Sequence, residues 1–299
     1  MRIFLAGGTG FVGGHVRCTL LENGHEVLVL THKRFARPEP GIEAVPGDVT
    51  SPETLAAAMQ NCDTVINLVG IIREFPTRGI TYERLHVEAT TNLLSAARQS
   101  GINRFIQMSA LGARPDAVSH YHQSKYRAEE AVRASGLDWT IFRPSVIFGP
   151  KDDFINKLAG FVKSLPYVPV IGDGLYRLQP IDGNDVARCF AMSLDMPETI
   201  GQTYRLCGRD RITYQQLLET IAKTLGKRSV RTLNVPVPFM KLAASLLQRF
   251  AFFPITMDQI TMLLEENICD CAWRETFRFE PVGLAEAIHV YLQGDYSGC

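Results

Sequence analysis

The sequence has no apolar run of the roughly eighteen residues that a membrane-crossing helix needs. Net charge is absent too: 31 Lys and Arg balance 31 Asp and Glu, with no basic run. That balance argues against a nucleic-acid partner. No charged-then-apolar leader precedes the first apolar segment, so no cleaved signal peptide is expected. Internal repeats and low-complexity tracts are also missing. Cysteine is sparse and odd in number, seven, and is scattered through core-like segments. That pattern predicts reduced thiols in a cytoplasmic protein rather than a disulfide framework. Cys269 and Cys271 have no second Cys pair or nearby His, so they read as ordinary thiols and no metal site is expected.

The 299 residues are 46% hydrophobic. They can build one large α/β unit, or a domain with a smaller lobe. The first segment is the most informative. Arg2 to Ala6 is a short apolar run, followed at once by Gly7-Gly8-Thr9-Gly10-Phe11-Val12-Gly13 and a helical pattern through Val16, Leu20 and Leu21. This predicts a strand, a glycine turn and a helix start. Gly7 lets the chain turn tightly out of the strand. Gly10 lets backbone approach a pyrophosphate, and Gly13 lets the helix pack closely on the sheet. The helix N-terminus then offers N–H groups to the phosphates.

Strands and helices alternate through the first half. His25–Thr31, Ile42–Val45, Asp63–Val69, Arg104–Ser109 and Asp138–Arg143 read as strands. Helices are expected from Pro52, with Ser51 as cap, over Arg84–Gln99, and over Tyr121–Ser135. The alternation predicts an α/β fold, a Rossmann-type doubly wound parallel sheet with a smaller C-terminal α/β lobe. Residues 1–150 would form the dinucleotide-binding core. Residues 151–299 would form mostly the smaller lobe, with some segments, such as Gln202–Leu206, returning to the core. Helices are expected there over Tyr214–Leu225 and Phe239–Phe250.

Three residues carry candidate chemistry. Ser109 ends a strand at the carboxyl edge of the sheet, where open α/β sheets bind ligands. Tyr121 and Lys125 are four apart on a predicted helix and share a face. An ammonium beside a tyrosine lowers its pKa, so Tyr121 can exchange a proton with a carbonyl or alcohol while hydride moves. Ser109 would hold the reacting oxygen.

These segments, with Gly47-Asp48-Val49, Tyr121-His122-Gln123-Ser124-Lys125, Trp139 to Pro150 (WTIFRPSVIFGP), Pro180 to Ala187 (PIDGNDVA) and Gly201-Gln202-Thr203-Tyr204, carry a resemblance over nearly the whole chain. The chain resembles the short-chain dehydrogenase/reductase superfamily of extended or atypical, epimerase/dehydratase-like type. Within it, the match is nearest to proteins like the NAD(P)H-binding accessory subunit of respiratory complex I. The resemblance implies that Gly7, Thr9, Gly10, Phe11, Val12 and Gly13 surround the pyrophosphate. It puts Asp48 and Val49 at the adenine, and Leu68, Val69 and Gly70 beside the ribose. Ser109, Tyr121 and Lys125 match the family's catalytic triad, with Lys125 also on the nicotinamide ribose. Pro144, Ser145 and Val146 would face the nicotinamide. Where sugar-nucleotide enzymes have Asn-Val-x-Gly-Thr, this chain has His86-Val87-Glu88-Ala89-Thr90, and their sugar-nucleotide-binding residues have no counterpart in its second half.

The end of the second strand, Thr31-His32-Lys33-Arg34, has no acid to hold a ribose 2′-hydroxyl. Thr31, Lys33 and Arg34 instead suit a 2′-phosphate, so NADP(H) is preferred over NAD(H). Hydride transfer to or from a small carbonyl or alcohol is the expected function. The alternative is an NADP(H)-binding accessory subunit or redox sensor without turnover, complex I-like, with a lipid or quinone-like ligand. Val237–Leu264 is rich in Phe, Leu and Met. It reads either as a helix packed on the second lobe or as an interfacial helix. The expected location is cytoplasmic or peripheral to the inner face of a membrane, with association with a respiratory complex the further partner reading.

Overall fold

Ile3, Phe4, Leu5 and Ala6 are fully buried in β1 (Arg2–Ala6), as a central parallel strand covered on both faces requires. The computed structural model describes residues 1–31, 41–248, 250 and 253–292. The other strands of the main sheet are β2 (Glu26–Thr31), β3 (Ile42–Pro46), β4 (Thr64–Asn67), β5 (Arg104–Met108), β6 (Asp138–Pro144) and β7 (Gln202–Leu206). Their order is β7-β6-β5-β4-β1-β2-β3. The pairs from β6 through to β3 are all parallel, with Phe4 opposite Leu28 and Val65, and Ile106 opposite Ile66 and Thr140. Chain order reverses between β1 and β4, the switch point where doubly wound sheets bind ligands. The expected Rossmann-type architecture is the observed one.

The chain divides into two compact units, Met1–Pro144 with Val186–Arg205, and Ser145–Asp185 with Leu206–Cys299. In the first, α1 (Phe11–Glu22), α2 (Leu55–Ala58), α3 (Ala89–Gln99) and α4 (His120–Arg133) flank the sheet. Leu93 and Ala97 of α3 and Val132 of α4 join Phe4, Val65, Phe105 and Ile141 in one core. Ser119 caps α4, its Oγ accepting from the His122 N–H at 3.1 Å. Ser51 does not cap as expected: its side chain makes no capping bond, and a tight turn over Pro52–Thr54 leads into α2. The predicted helix over Arg84–Gln99 is two pieces, a π-helical stretch Glu83–Glu88 that runs into α3.

In the second unit, helices Ile155–Ser164, Tyr214–Thr224 and Leu284–Leu292 enclose Val168, Val170 and Leu178. Thr213 and Gln216 form a reciprocal capping box at the second of these. Strand Val168–Ile171 pairs in parallel with Thr232–Val235, and helix Val237–Leu247 follows the latter. One expectation fails here. Cys207 and Cys269 form a disulfide, their Cα atoms 6.1 Å apart across 62 positions of sequence. Only the fold brings them together, so spacing did not reveal the pair. Among the described residues, Cys18, Cys62, Cys189 and Cys271 lie outside any disulfide.

Candidate functional site

The turn after β1 is shaped by backbone contact. Gly7 has φ +81°, and a Cβ there would lie 2.8 Å from the Leu68 carbonyl carbon and 2.9 Å from the Val69 nitrogen. The turn therefore rests directly on the chain leaving β4. Gly13 seats α1 on the same turn: its Cβ would lie 2.3 Å from the Gly7 oxygen and 2.7 Å from Gly8 backbone. Gly10 is the N-cap of α1, with no side-chain cap and no acid in the first turn. That leaves a bare helix N-terminus whose N–H groups and dipole suit an anion. Thr9 and Gly10 are exposed, and Phe11 and Val12 half-buried.

Beside it, Asn67 ends β4 in complete burial. Its Oδ1 accepts from the Val69 N–H at 3.0 Å, and its Nδ2 donates to Gln107 Oε1 at 2.9 Å and Thr90 Oγ1 at 3.1 Å. This fully bonded network fixes Leu68, Val69 and Gly70. At the end of β3, Asp48 Oδ1 accepts from the Thr50 N–H and Oγ1, both at 2.8 Å, and Asn92 Nδ2 donates to the Val49 carbonyl at 2.9 Å. Thr31 ends β2 and is buried. Lys33 and Arg34 lie outside the described residues.

Ser109 follows β5, and its N–H donates to the Phe142 carbonyl at 2.7 Å. Its Oγ is buried without a hydrogen-bond partner. An unsatisfied buried hydroxyl costs about 1–3 kcal/mol, so this one suits a ligand atom. On α4, one turn separates Tyr121 from Lys125. Lys125 is buried, and its Nζ donates to the Met108 carbonyl at 3.0 Å. Gly70 leaves room for it, since a Cβ there would come within 3.2 Å of Nζ. Burial pulls Lys125 down to about 8, opposed by the Glu129 carboxylate. Burial pushes Tyr121 up to about 12. The expected lowering by Lys125 is absent: burial is the one cause acting on the phenol. Pro144 ends β6 and its carbonyl accepts from the Leu111 N–H at 3.0 Å. Ser145 and Val146 belong to the second unit, where Ser145 Oγ donates to the Gln179 carbonyl at 2.6 Å and the Val146 N–H to Asn267 Oδ1 at 3.0 Å.

Several residues around this group had no assigned role in the sequence. His86 stacks on Tyr82 at 5.3 Å and meets Tyr121 edge-on at 5.4 Å. Its Nε2 accepts from the Ile71 N–H at 3.1 Å. The remaining proton therefore sits on Nδ1 and faces Ser124 Oγ at 2.7 Å, which in turn donates to the Tyr121 carbonyl at 2.7 Å. Burial, then the Lys125 charge, push His86 down to about 2, so it stays neutral and serves as a scaffold for Tyr121. The Tyr82–His86 spacing of four is the signal that was available. Glu129, one turn beyond Lys125, has a fully buried side chain. It is gripped by Arg143 from Nε at 2.7 Å and Nη2 at 2.5 Å, and by Arg133 at 2.7 Å. This clamp pins α4 to β6. Among the described residues no group of His, Cys, Asp or Glu could hold a metal ion.

The turn, the bare helix end and the switch point lie together, and residues 7–156 match the NAD(P)H-binding family model. The chain belongs to the NAD(P)H-binding family. It is 31% identical over 249 residues to the mitochondrial NADH dehydrogenase (ubiquinone) 1 alpha subcomplex subunit 9 of Arabidopsis thaliana, a match covering 80% of this chain and 61% of that relative. Ceramide reductase of Caulobacter vibrioides is 27% identical, over 83% of this chain and 78% of that protein. The fold superposes on MoeE5 in complex with UDP-glucuronic acid and NAD with a TM-score of 0.78, at 19% identity and 98% of both chains. At that identity the likeness is one of fold. The NAD(P)H-binding family model ends at residue 156, so it covers the glycine turn, Ser109, Tyr121 and Lys125.

Proposed function

We propose that this protein is an NADP(H)-dependent oxidoreductase that transfers hydride between the cofactor and a carbonyl or alcohol. The observation that carries the reading is the buried, unpartnered Ser109 hydroxyl at the carboxyl end of β5, beside the helix that presents Tyr121 and Lys125. Gly7 and Gly10 to Gly13 would hold the pyrophosphate. Asp48 and Val49 would border the adenine, and Leu68 to Gly70 the ribose. Thr31, Lys33 and Arg34 would select the 2′-phosphate. The bound dinucleotide supplies or accepts the hydride. Ser109 Oγ donates to the substrate oxygen and holds it in line. Tyr121 gives its proton to that oxygen as it gains charge. Lys125 binds ribose hydroxyls and stabilises the phenolate left behind. Pro144 and the two residues after it would pack on the nicotinamide.

The test is NADPH oxidation with a panel of carbonyl, quinone and nucleotide-sugar substrates. Tyr121→Phe keeps the ring and removes the proton. It should lower turnover by about a hundred- to ten-thousandfold, with NADPH affinity within a few fold. Equal turnover by wild type and variant would overturn the assignment.

A second reading has its own support in the 31% identity to a complex I subunit. Here the protein holds NADP(H) without turnover, as a membrane-peripheral accessory subunit or redox sensor of a respiratory assembly. Tight NADPH binding, silence across the panel and co-purification with the complex would favour it.

A further inference from the structure

Helix Val237–Leu247 has one face against the protein and one outside it. Inward, Ala244 is fully buried with Ile171 and Ile260, and Val237 and Met240 pack on the same small cluster. Outward, Phe239, Leu242 and Leu246 are 66%, 60% and 62% exposed. At 3.6 residues per turn these three positions fall within an arc of roughly 60°. Such a stripe on a surface marks an interaction site. The helix has 11 residues, far short of a bilayer's thickness, and no helix among the described residues is long and apolar enough to cross a membrane.

The segment of chain that carries it has one charge sign, and Asp258 opens the helix packed beside it. From Thr220 to Met257 the sequence has six basic residues, Lys223, Lys227, Arg228, Arg231, Lys241 and Arg249, and no Asp or Glu. Lys223, Arg228 and Arg231 are exposed. Exposed Tyr167 immediately precedes Val168, whose N–H donates to the Arg231 carbonyl at 2.8 Å, and exposed Leu233 follows in the paired strand. Apolar stripe, basic tract and flanking tyrosine are the features of a helix lying in a headgroup layer. A second copy of the chain meeting this face would set the same cationic tract against itself.

We propose that the Val237–Leu247 helix docks on an anionic lipid surface, with the Phe239–Leu242–Leu246 stripe at the acyl boundary and the basic tract on lipid phosphates. This deepens the membrane-peripheral reading by naming the face and the lipid chemistry, and it is independent of the dinucleotide site.

The experiment is flotation of the full chain with vesicles of neutral phosphatidylcholine, or of phosphatidylcholine with anionic phosphatidylglycerol. The expected result is preferential binding to the anionic vesicles, weakening as salt rises. The triple variant Phe239→Ser, Leu242→Ser, Leu246→Ser should lose at least about tenfold in vesicle affinity. The double variant Arg228→Glu, Arg231→Glu should lose the anionic preference. Both should keep NADPH binding and the wild-type circular dichroism, which separates a failed lipid face from a misfolded chain. Equal binding to neutral and anionic vesicles, or unchanged binding by the triple variant, overturns the proposal. So does a dimer, or a complex I-like protein contact, that the triple variant abolishes while wild type ignores vesicles. NADPH binding without vesicle binding would sink this proposal and leave the oxidoreductase reading standing.

Discussion

Gly13 and Gly14 are neighbours in α1, yet alanine should do opposite things at the two positions. At Gly13 the new Cβ would come within 2.3 Å of the Gly7 oxygen and 2.7 Å of two Gly8 backbone atoms. Backbone cannot swing aside as a side chain can, so either α1 lifts or the turn deforms. Overpacking of this kind costs about 1–3 kcal/mol, partly offset by the ~1 kcal/mol that alanine gains over glycine in a helix. At Gly14 nothing lies within 4 Å of the added carbon, so only the helix-propensity gain remains. Thermal melts should therefore move in opposite directions, with Gly14→Ala higher by up to about 2–4 °C. NADPH titration is the second readout. Lifting α1 by a fraction of an ångström takes the N–H groups of Gly10 to Gly13 off the phosphates, and a loss of ~1.4 kcal/mol is tenfold in affinity. Gly13→Ala should bind at least about tenfold more weakly, and Gly14→Ala within twofold. A Gly13→Ala protein that melts and binds like wild type would refute the packing account of the turn.

Other outcomes follow from the buried charges. Lys125, held at about 8 against an ordinary 10.5, binds fewer protons folded than unfolded between those values. The cofactor-free chain should therefore gain stability as pH rises through that window. NADPH affinity should fall over the same range as the ammonium is lost, with proton uptake on binding in calorimetry; a flat profile from pH 7 to 9 would remove Lys125 from the ribose. Glu129→Gln leaves Arg143 and Arg133 facing an amide in a fully buried position. It should cost about 3–5 kcal/mol in denaturant unfolding and lower Lys125 further. Lys33→Ala with Arg34→Ala should weaken NADPH more than about tenfold and leave NADH nearly unchanged, the pairing of a basic side chain with a phosphate being what is removed. Equal losses would return the preference to NAD(H).

The sequence made the glycine turn legible because sterics alone dictate it: a positive φ at Gly7 and a contact at Gly13 that no Cβ allows. The alternation of strands and helices followed from apolar runs and helix spacings, and it placed Ser109 just after β5 and Tyr121 and Lys125 one turn apart on α4. What escaped was non-local. Glu129 meets Arg143 only once β6 and α4 are packed, and Asn67 meets Gln107 only through the β4–β5 register. The Cys207–Cys269 pair depends on a loop closure that composition argued against. The upward shift of Tyr121 also came from burial, which a four-residue spacing does not report. The π-helical stretch ahead of α3, which lets His86 reach Ile71 and Ser124, has no pattern in a window read at 3.6 residues per turn.

A crystal structure of the NADPH complex tests the central claim most directly. The account predicts the pyrophosphate on the N–H groups at the start of α1, the 2′-phosphate at the end of β2, and a ligand or substrate oxygen on Ser109 Oγ within reach of Tyr121. A nucleotide bound away from the β1–α1 turn, or a nicotinamide remote from Ser109, Tyr121 and Lys125, would contradict it.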